Sequence, residues 1–473
     1  MNSTTELISD RAATRLFNGD YTLWSQSPDE IANRLDWLTE PRRMQTEISS
    51  LVEFANRARE DGCDRVVWCG MGGSSLFPEL LATSRIIGAD HPEFLVLDSS
   101  HPAAVQDAHA FASEGRALFV IASKSGATIE TRSHLEYFWH HFGDPAEFAV
   151  VTDAGSALDS FANEHGFRHA FHANPNIGGR YSALSHFGLV AAGLLGIDVA
   201  ALLQGAVAML AECASDSPEN PGLALGAAVG EWATTGRDKL ILDCNPALAA
   251  WLEQLIAEST GKQHRGILPV PGDATDAIGA DRVRVSYGRG GDIDLGPDAT
   301  TRDASALGRE LIRWEIATAI ASVTIGINPF DQPDVEAAKL AAAKNLERPM
   351  TVGAISLEEA IAGVAAPHYV AVQAFVDPAG SVAEGLPSLR RKIRDSTGCA
   401  TTATIGPRYL HSTGQFHKGG TDLGVFVQLV DTELEALAIP GRSFGFDDLL
   451  RAQAIGDANA LVERGRKVAR VAT

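Results

Sequence analysis

Residues 117–131 read ALFVIASKSGATIET. Six apolar residues run together without polar alternation, the pattern of a strand buried on both faces. The run stops at Ser123, Lys124, Ser125 and Gly126, and a helix-like segment opens at Thr128. Buried strand, short turn and helix are the parts of a βα unit in a parallel sheet. Three hydroxyls, on Ser123, Ser125 and Thr128, surround this one turn, with Lys124 among them. Amides, hydroxyls and the positive end of a helix hold a phosphate dianion at such a junction. The plainer reading is that the same residues cap the helix.

Outward from this stretch the rhythm repeats. Apolar runs at 65–69 (RVVWC), 93–97 (EFLVL) and 147–152 (EFAVVT) are separated by helix-like segments, which predicts a doubly wound parallel sheet. It restarts at 239–243 (KLILD), followed by a helix over 247–259 with Gly261 placed to end it, a strand at 282–287 and a long apolar helix over 307–325. Residues 272–303, rich in Gly and Asp, are expected to carry a surface loop. A third section has strands at 368–376, 400–405 and 425–430, a basic helix at 386–396, and a closing helix over 444–471. Residues 1–50 are expected to be helical and polar, with Ile31, Leu35 and Leu38 on one face. The expected fold class is α/β. Its divisions are 1–225 (N-terminal helices plus the first sheet domain), 226–365 (the second) and 366–473 (a C-terminal α/β section).

Bulk properties limit the partners. The formal charge of the 473 residues is −21, which disfavours nucleic acid and anionic membrane. Five scattered cysteines without a CxxC pair argue against a disulfide scaffold or a zinc site and fit a reducing compartment. The N-terminus does not read as a secretory signal. The apolar stretch 187–210 is interrupted by Asp198 and reads as a buried helix pair.

Two further clusters resemble anion cradles. Residues 69–75 (CGMGGSS) follow a strand and precede a helix, and Gly73 and Ser74 lie at the turn. A dinucleotide fingerprint would need a third glycine at position 75, which is serine, and no Walker lysine follows. A tight βα turn remains the plain alternative. Residues 177–182 (IGGRYS) bring Gly179 and Arg180 together; arginine keeps its charge and suits an oxyanion, although an arginine after a turn is also ordinary surface.

In order and spacing, these segments resemble the glucose-6-phosphate isomerase family, of the sugar-isomerase fold group. So do residues 257–262 (AESTGK) and 328–339 (NPFDQPDVEAAK). The likeness is strongest to the isomerase half of fused transaldolase–isomerase proteins and extends through 410–420 (LHSTGQFHKGG). No room remains for a transaldolase barrel, so none of that activity is expected. The resemblance implies two three-layer αβα sugar-isomerase domains and interconversion of glucose 6-phosphate and fructose 6-phosphate through a cis-enediolate. It implies Glu258 as base, against the plain reading of a solvated helix-end glutamate, and Arg180 beside C1–C2. Gly73, Ser74, Ser123, Lys124, Ser125 and Thr128 would hold the phosphate, Gly179 and Gln332 would reach the sugar, and Lys339, with a histidine, would assist ring opening and proton transfer to oxygen. The family's ring-opening histidine comes from a neighbouring subunit. Here the only histidine in 259–339 is His264, in a different context, so His411 or His417 is expected to replace it; each could equally be a loop histidine holding local backbone. No cofactor or metal is expected. A cytoplasmic homodimer is. The rivals are an isomerase of another anionic sugar, phosphate or sulfonate, a non-catalytic sugar-phosphate sensor, and a nicotinamide-dependent dehydrogenase.

Overall fold

The computed structural model describes residues 3–331 and 356–473. Thirteen strands among these residues form three sheets, and every strand pairing within them is parallel. The first sheet contains β1 (Arg65–Gly70), β2 (Glu93–Leu97), β3 (Ala117–Ala122), β4 (Phe148–Thr152) and β5 (His169–His172), in the order β2-β1-β3-β4-β5. The second contains β6 (Lys239–Asp243), β7 (Leu268–Pro271), β8 (Arg282–Ser286) and β9 (Ile293–Asp294), in the order β7-β6-β8-β9. The third contains β10 (Tyr369–Phe375), β11 (Ala400–Ile405), β12 (Gly424–Val430) and β13 (Lys467–Ala472), in the order β11-β10-β12-β13. All three thus share one winding: the chain leaves the first strand to one side, then crosses to the other.

The quoted run is the middle of the first sheet. Every residue of β3 is buried. Alternation sends Leu118, Val120 and Ala122 into one core, and Ala117, Phe119 and Ile121 into the other. Helices therefore cover both faces, as an unbroken apolar strand requires. The helix Pro246–Thr260 begins with Asn245, whose side chain accepts from the N–H groups of Ala247 and Leu248 at 2.9 and 3.4 Å. It stops at Gly261, where a Cβ would lie 2.4 Å from Phe416 Cα. Close approach, rather than a left-handed turn, requires glycine there. The apolar stretch expected as a helix pair is one, His186–Leu194 and Val199–Glu212. No helix among the described residues is long and apolar enough to cross a membrane.

The third sheet is built against the second. Ile241 of β6 and Leu268 and Val270 of β7 share a core with Tyr369, Ala371, Ala400 and Phe426 of the third sheet and with Ala257 and Phe416. Asp276, in the loop after β7, is clasped by Arg390 and Arg394 from the helix Ser381–Thr397 at 2.7–2.9 Å. The C-terminal section therefore lies directly beside the helix that carries Glu258.

Two expectations fail locally. Residues 29–38 form turns and a single 3-10 turn, Asp36–Leu38, rather than a helix. Ile31, Leu35 and Leu38 are nevertheless buried, so apolar spacing reported burial and not helical geometry. The closing helix ends at Glu463, Gly465 takes φ 75°, and residues 467–472 become β13, whose backbone completes the edge beside β12.

Candidate active site

β1 and β3 sit side by side, with Gly70 opposite Ala122, yet the chain runs from β1 first to β2 on the far side. This is the point where winding reverses, and ligands of parallel sheets bind outside the carboxyl ends there. The two hydroxyl-rich turns both start at this point. After β1, Gly72–Ser74 form a 3-10 turn. A Cβ on Gly70 would lie 2.6 Å from Ser74 O, so the strand must end in glycine for the turn to fold back. Ser75 opens the helix Leu76–Thr83 without a side-chain cap, and its Oγ donates to Gly72 O and Asp98 Oδ2, both at 3.2 Å. After β3, Ser123 Oγ donates to Thr128 Oγ1 at 3.1 Å, and Ser125 Oγ accepts from Ala127 N at 3.3 Å. Thr128 occupies the cap position of the helix Ile129–His141 but makes no cap hydrogen bond. Capping therefore does not explain either cluster.

Lys124 departs from its expected place in the cradle. Its ammonium donates to both Asp153 oxygens at 2.9 Å and to Pro175 O at 3.1 Å, which uses its three donors on the loops after β4 and β5. The lysine secures the β3 turn to the β4 turn instead of facing an anion.

The GGS and GGR turns touch. A Cβ on Gly73 would lie 2.0 Å from Gly179 O, in the 3-10 turn Gly179–Tyr181. Among the described residues, apart from its own chain neighbours, no atom lies within 4 Å of a Cβ built on Gly179 itself. The next residue, Arg180, is 1% exposed and almost fully committed. Its Nε donates to Ser259 Oγ at 2.9 Å, and its Nη2 donates to Asp331 O at 3.1 Å and to Pro329 O. Nη1 has no hydrogen-bond acceptor among the described residues and lies 3.6 Å from Glu258 Oε2.

Glu258 is 4% exposed, near the end of the helix Pro246–Thr260. Burial raises its pKa above the ordinary carboxylate value, opposed by the nearby charges of Arg180, His411 and Lys262 and by a hydrogen bond from Gln254. Gln254 stands one turn earlier on the same face and donates to His411 O at 2.9 Å. It is also the group a Cβ on Gly72 would strike, at 2.7 Å. The helix that carries Glu258, the GGS turn and the C-terminal section thus meet at one side chain.

The two expected histidines separate. His411 ends the 3-10 turn Arg408–His411 after β11, and its Nε2 lies 2.9 Å from Glu130 Oε1, just beyond the Ser123–Thr128 turn. Arg408 of the same turn pairs with Glu79 and, at 3.1 Å, with Asp98. Burial raises the Asp98 pKa to about 7, opposed by the Ser75 hydrogen bond and the charge of His411. His417 is fully buried instead. Its Nδ1 lies 3.2 Å from Tyr369 OH, its ring packs on Tyr369 and Phe426, and burial lowers its pKa to about 3. It is a neutral core residue, and the expectation of a catalytic role for it is withdrawn. His264 pairs with Asp422 at the surface. Gln332 and Lys339 lie outside the described residues.

Glu130, Gln254 and Lys262 all fall within or beside the quoted motifs, yet sequence reading assigned them no role. Gln254 had one available signal, its four-residue spacing from Glu258. The value of Glu130 depends on His411, which is remote in sequence. Among the described residues no group of three or more His, Cys, Asp or Glu is placed to hold a metal ion.

Residues 38–267 match the family model for phosphoglucose isomerase. A glucose-6-phosphate isomerase of Rubrobacter xylanophilus is 27% identical over 387 residues, covering 65% of this chain and 88% of that protein. One from Desulfitobacterium hafniense is 30% identical over 263 residues, 51% of this chain and 48% of that protein. A solved glucose-6-phosphate isomerase from Chlamydia trachomatis has a TM-score of 0.61 over 73% of this chain and 86% of its own, at 19% identity, a likeness of fold. Through residues 38–267, therefore, this chain is similar to phosphoglucose isomerases.

Proposed function

We propose that the protein interconverts glucose 6-phosphate and fructose 6-phosphate. The observation that carries this reading is Arg180 Nη1, a buried donor without an acceptor among the described residues, held 3.6 Å from a buried carboxylate. An enediolate needs such a pair: a base that moves a proton between adjacent carbons and a fixed cation at the oxygen that gains charge.

In this reading the phosphate is held by the hydroxyls of Ser74, Ser123, Ser125 and Thr128 and by amides at the two uncapped helix starts. Glu258 removes the C2 proton of the open aldose and returns it to C1. Arg180 stabilises the oxyanion between the two transfers and, as a neighbouring cation, favours the ionised base. His411, oriented by Glu130, moves protons at the ring and hydroxyl oxygens. Gly179 leaves space beside the sugar. Gln332 and Lys339 keep the roles implied by the family resemblance.

The division at 225/226 and 365/366, a cytoplasmic location, a homodimer and the likeness to the isomerase half of fused transaldolase proteins are parts of the same reading. The helix Pro221–Thr234 runs through the first of these boundaries. His411 and Glu130 belong to one chain, so each protomer of a homodimer would carry its own proton-transfer histidine. The test is a coupled assay of fructose 6-phosphate conversion without added metal, on wild type and Glu258→Gln. Activity in the first and loss in the second is the expected result. An inactive wild type that is thermally protected by glucose 6-phosphate would favour the sensor.

A further inference from the structure

Two buried cations grip one short segment. Arg180 Nη2 donates to the carbonyls of Pro329 and Asp331. Lys262, four residues after the base, donates from Nζ to Asn328 O at 2.7 Å and to Asp331 Oδ1 at 2.5 Å. Residues 328–331 are thus tied by both cations across the end of the helix that carries Glu258. Lys262 is 3% exposed. A lysine that served only to stabilise the fold could reach solvent with its head group, and burial of an ammonium is costly unless the geometry it secures is worth more.

We infer that Lys262 is a positioning residue for the isomerase reaction: with Asp331 it forms a clasp that fixes residues 328–331, and through them the acceptors that aim Arg180 at Glu258. The inference rests on the isomerase reading given above. It assigns Lys262 no contact with the substrate. The Arg180 guanidinium takes its orientation from three acceptors, Ser259 Oγ, Pro329 O and Asp331 O, and two of these move if the clasp opens.

The charge on the clasp is titratable. The charged groups facing Lys262 are Arg180 from the 3-10 turn Gly179–Tyr181, Asp331 from the opposite segment and Glu258 from the preceding helix. Burial and then Arg180 lower its pKa to about 7, while Asp331 and Glu258 oppose them. The ammonium is present below that value and lost as pH rises through it. The clasp then loses its ion pair, and kcat should show an alkaline limb near neutrality.

The experiment compares wild type, Lys262→Met, Lys262→Arg and Asp331→Asn in steady-state isomerisation of fructose 6-phosphate from pH 6 to 9, with thermal midpoints for each. A misplacement of about 1 Å at a reacting centre costs about 100-fold. Lys262→Met should accordingly lower kcat by about 10- to 100-fold with little change in KM, since the phosphate cradle is untouched. Lys262→Arg should recover much of kcat and move the alkaline limb to higher pH, because a guanidinium keeps its charge. Asp331→Asn, which keeps the shape, should lower kcat and move the limb to lower pH. Wild-type kcat and an unchanged pH profile in Lys262→Met would overturn the clasp while leaving the isomerase reading intact. Equal losses in the Met and Arg variants, matched by a lower midpoint, would reduce Lys262 to a structural residue. An inactive wild type would remove the isomerase reading itself, and the inference with it.

Discussion

His411 Nε2 and Glu130 Oε1 lie 2.9 Å apart although 281 positions separate them in the chain. Gln453 donates to the same carboxylate oxygen at 2.7 Å. Burial raises the Glu130 pKa, but the charge of His411 and its hydrogen bond outweigh it, and the carboxyl ends below its ordinary value. An ionised Glu130 fixes the orientation of the imidazole it faces. The first sheet and the C-terminal section are thus joined at an imidazole–carboxylate pair.

His411→Ala should lower kcat by about 10²–10⁴-fold, the range for loss of a general acid–base group. Glu130→Gln should lower it less, because the histidine remains. Mixing refolded chains of His411→Ala and Glu258→Gln provides a sharper measurement. If one chain supplies both groups to a site, every site in a mixed assembly carries a defect and no activity returns. Recovery on mixing would mean that the histidine acts across a subunit boundary.

The pH profile should report Glu258 directly. In the proposed role Glu258 works ionised, and burial raises its pKa, so kcat/KM should fall as pH drops through a value above the ordinary carboxylate range. Arg180 is the first of the influences that oppose this rise. In Arg180→Gln the acid limb should therefore move to still higher pH, together with a loss of about 10²-fold or more from the missing oxyanion partner. An acid limb that stays in place in that variant would separate Arg180 from the base.

Gly73→Ala tests whether the GGS and GGR turns must touch. A Cβ there would lie 2.0 Å from the Gly179 carbonyl oxygen, a backbone atom that cannot rotate away. Forcing the turns apart should cost about 1–3 kcal/mol, as overpacking does. It should also depress activity beyond the stability loss, because Arg180 follows Gly179. Unfolding in urea and kcat on the same preparation measure both.

Asp276 should govern the acid stability of the junction between the second and third sheets. It is 2% exposed and receives Arg390 and Arg394. Burial raises its pKa, but hydrogen bonds from Arg390, the Asp273 N–H and Arg394 outweigh that and leave it lowered. Its contribution is full above the unfolded aspartate value near 3.9 and is lost as pH falls through the lower folded value. Asp276→Ala leaves two arginines facing an uncompensated site and should cost about 3–5 kcal/mol at neutral pH. Chemical unfolding at pH 3 to 7 should show the variant with a flatter acid slope than wild type.

The sequence by itself determined the parallel sheets and the chemistry of their turns. Unbroken apolar runs such as 117–122 can only be satisfied by burial on both faces, and hydroxyls and glycines at strand ends are local facts of the chain. Gly73, Arg180 and Glu258 were legible because each sits in a short motif with its own neighbours. Where apolar spacing alone was the guide, it found buried residues but not their backbone, as at Ile31, Leu35 and Leu38. At 467–472 an edge beside β12 decided for strand over helix. Only the tertiary structure separated His411 from His417, since two histidines six residues apart have nearly the same sequence context. One reaches Glu130 across the molecule; the other is enclosed by Tyr369 and Phe426. It likewise turned Lys124 toward Asp153 and buried Lys262 against Asp331. The charge of a lysine is written in the sequence, but its partner is chosen by packing between segments far apart in the chain, and the partner decides what that charge does.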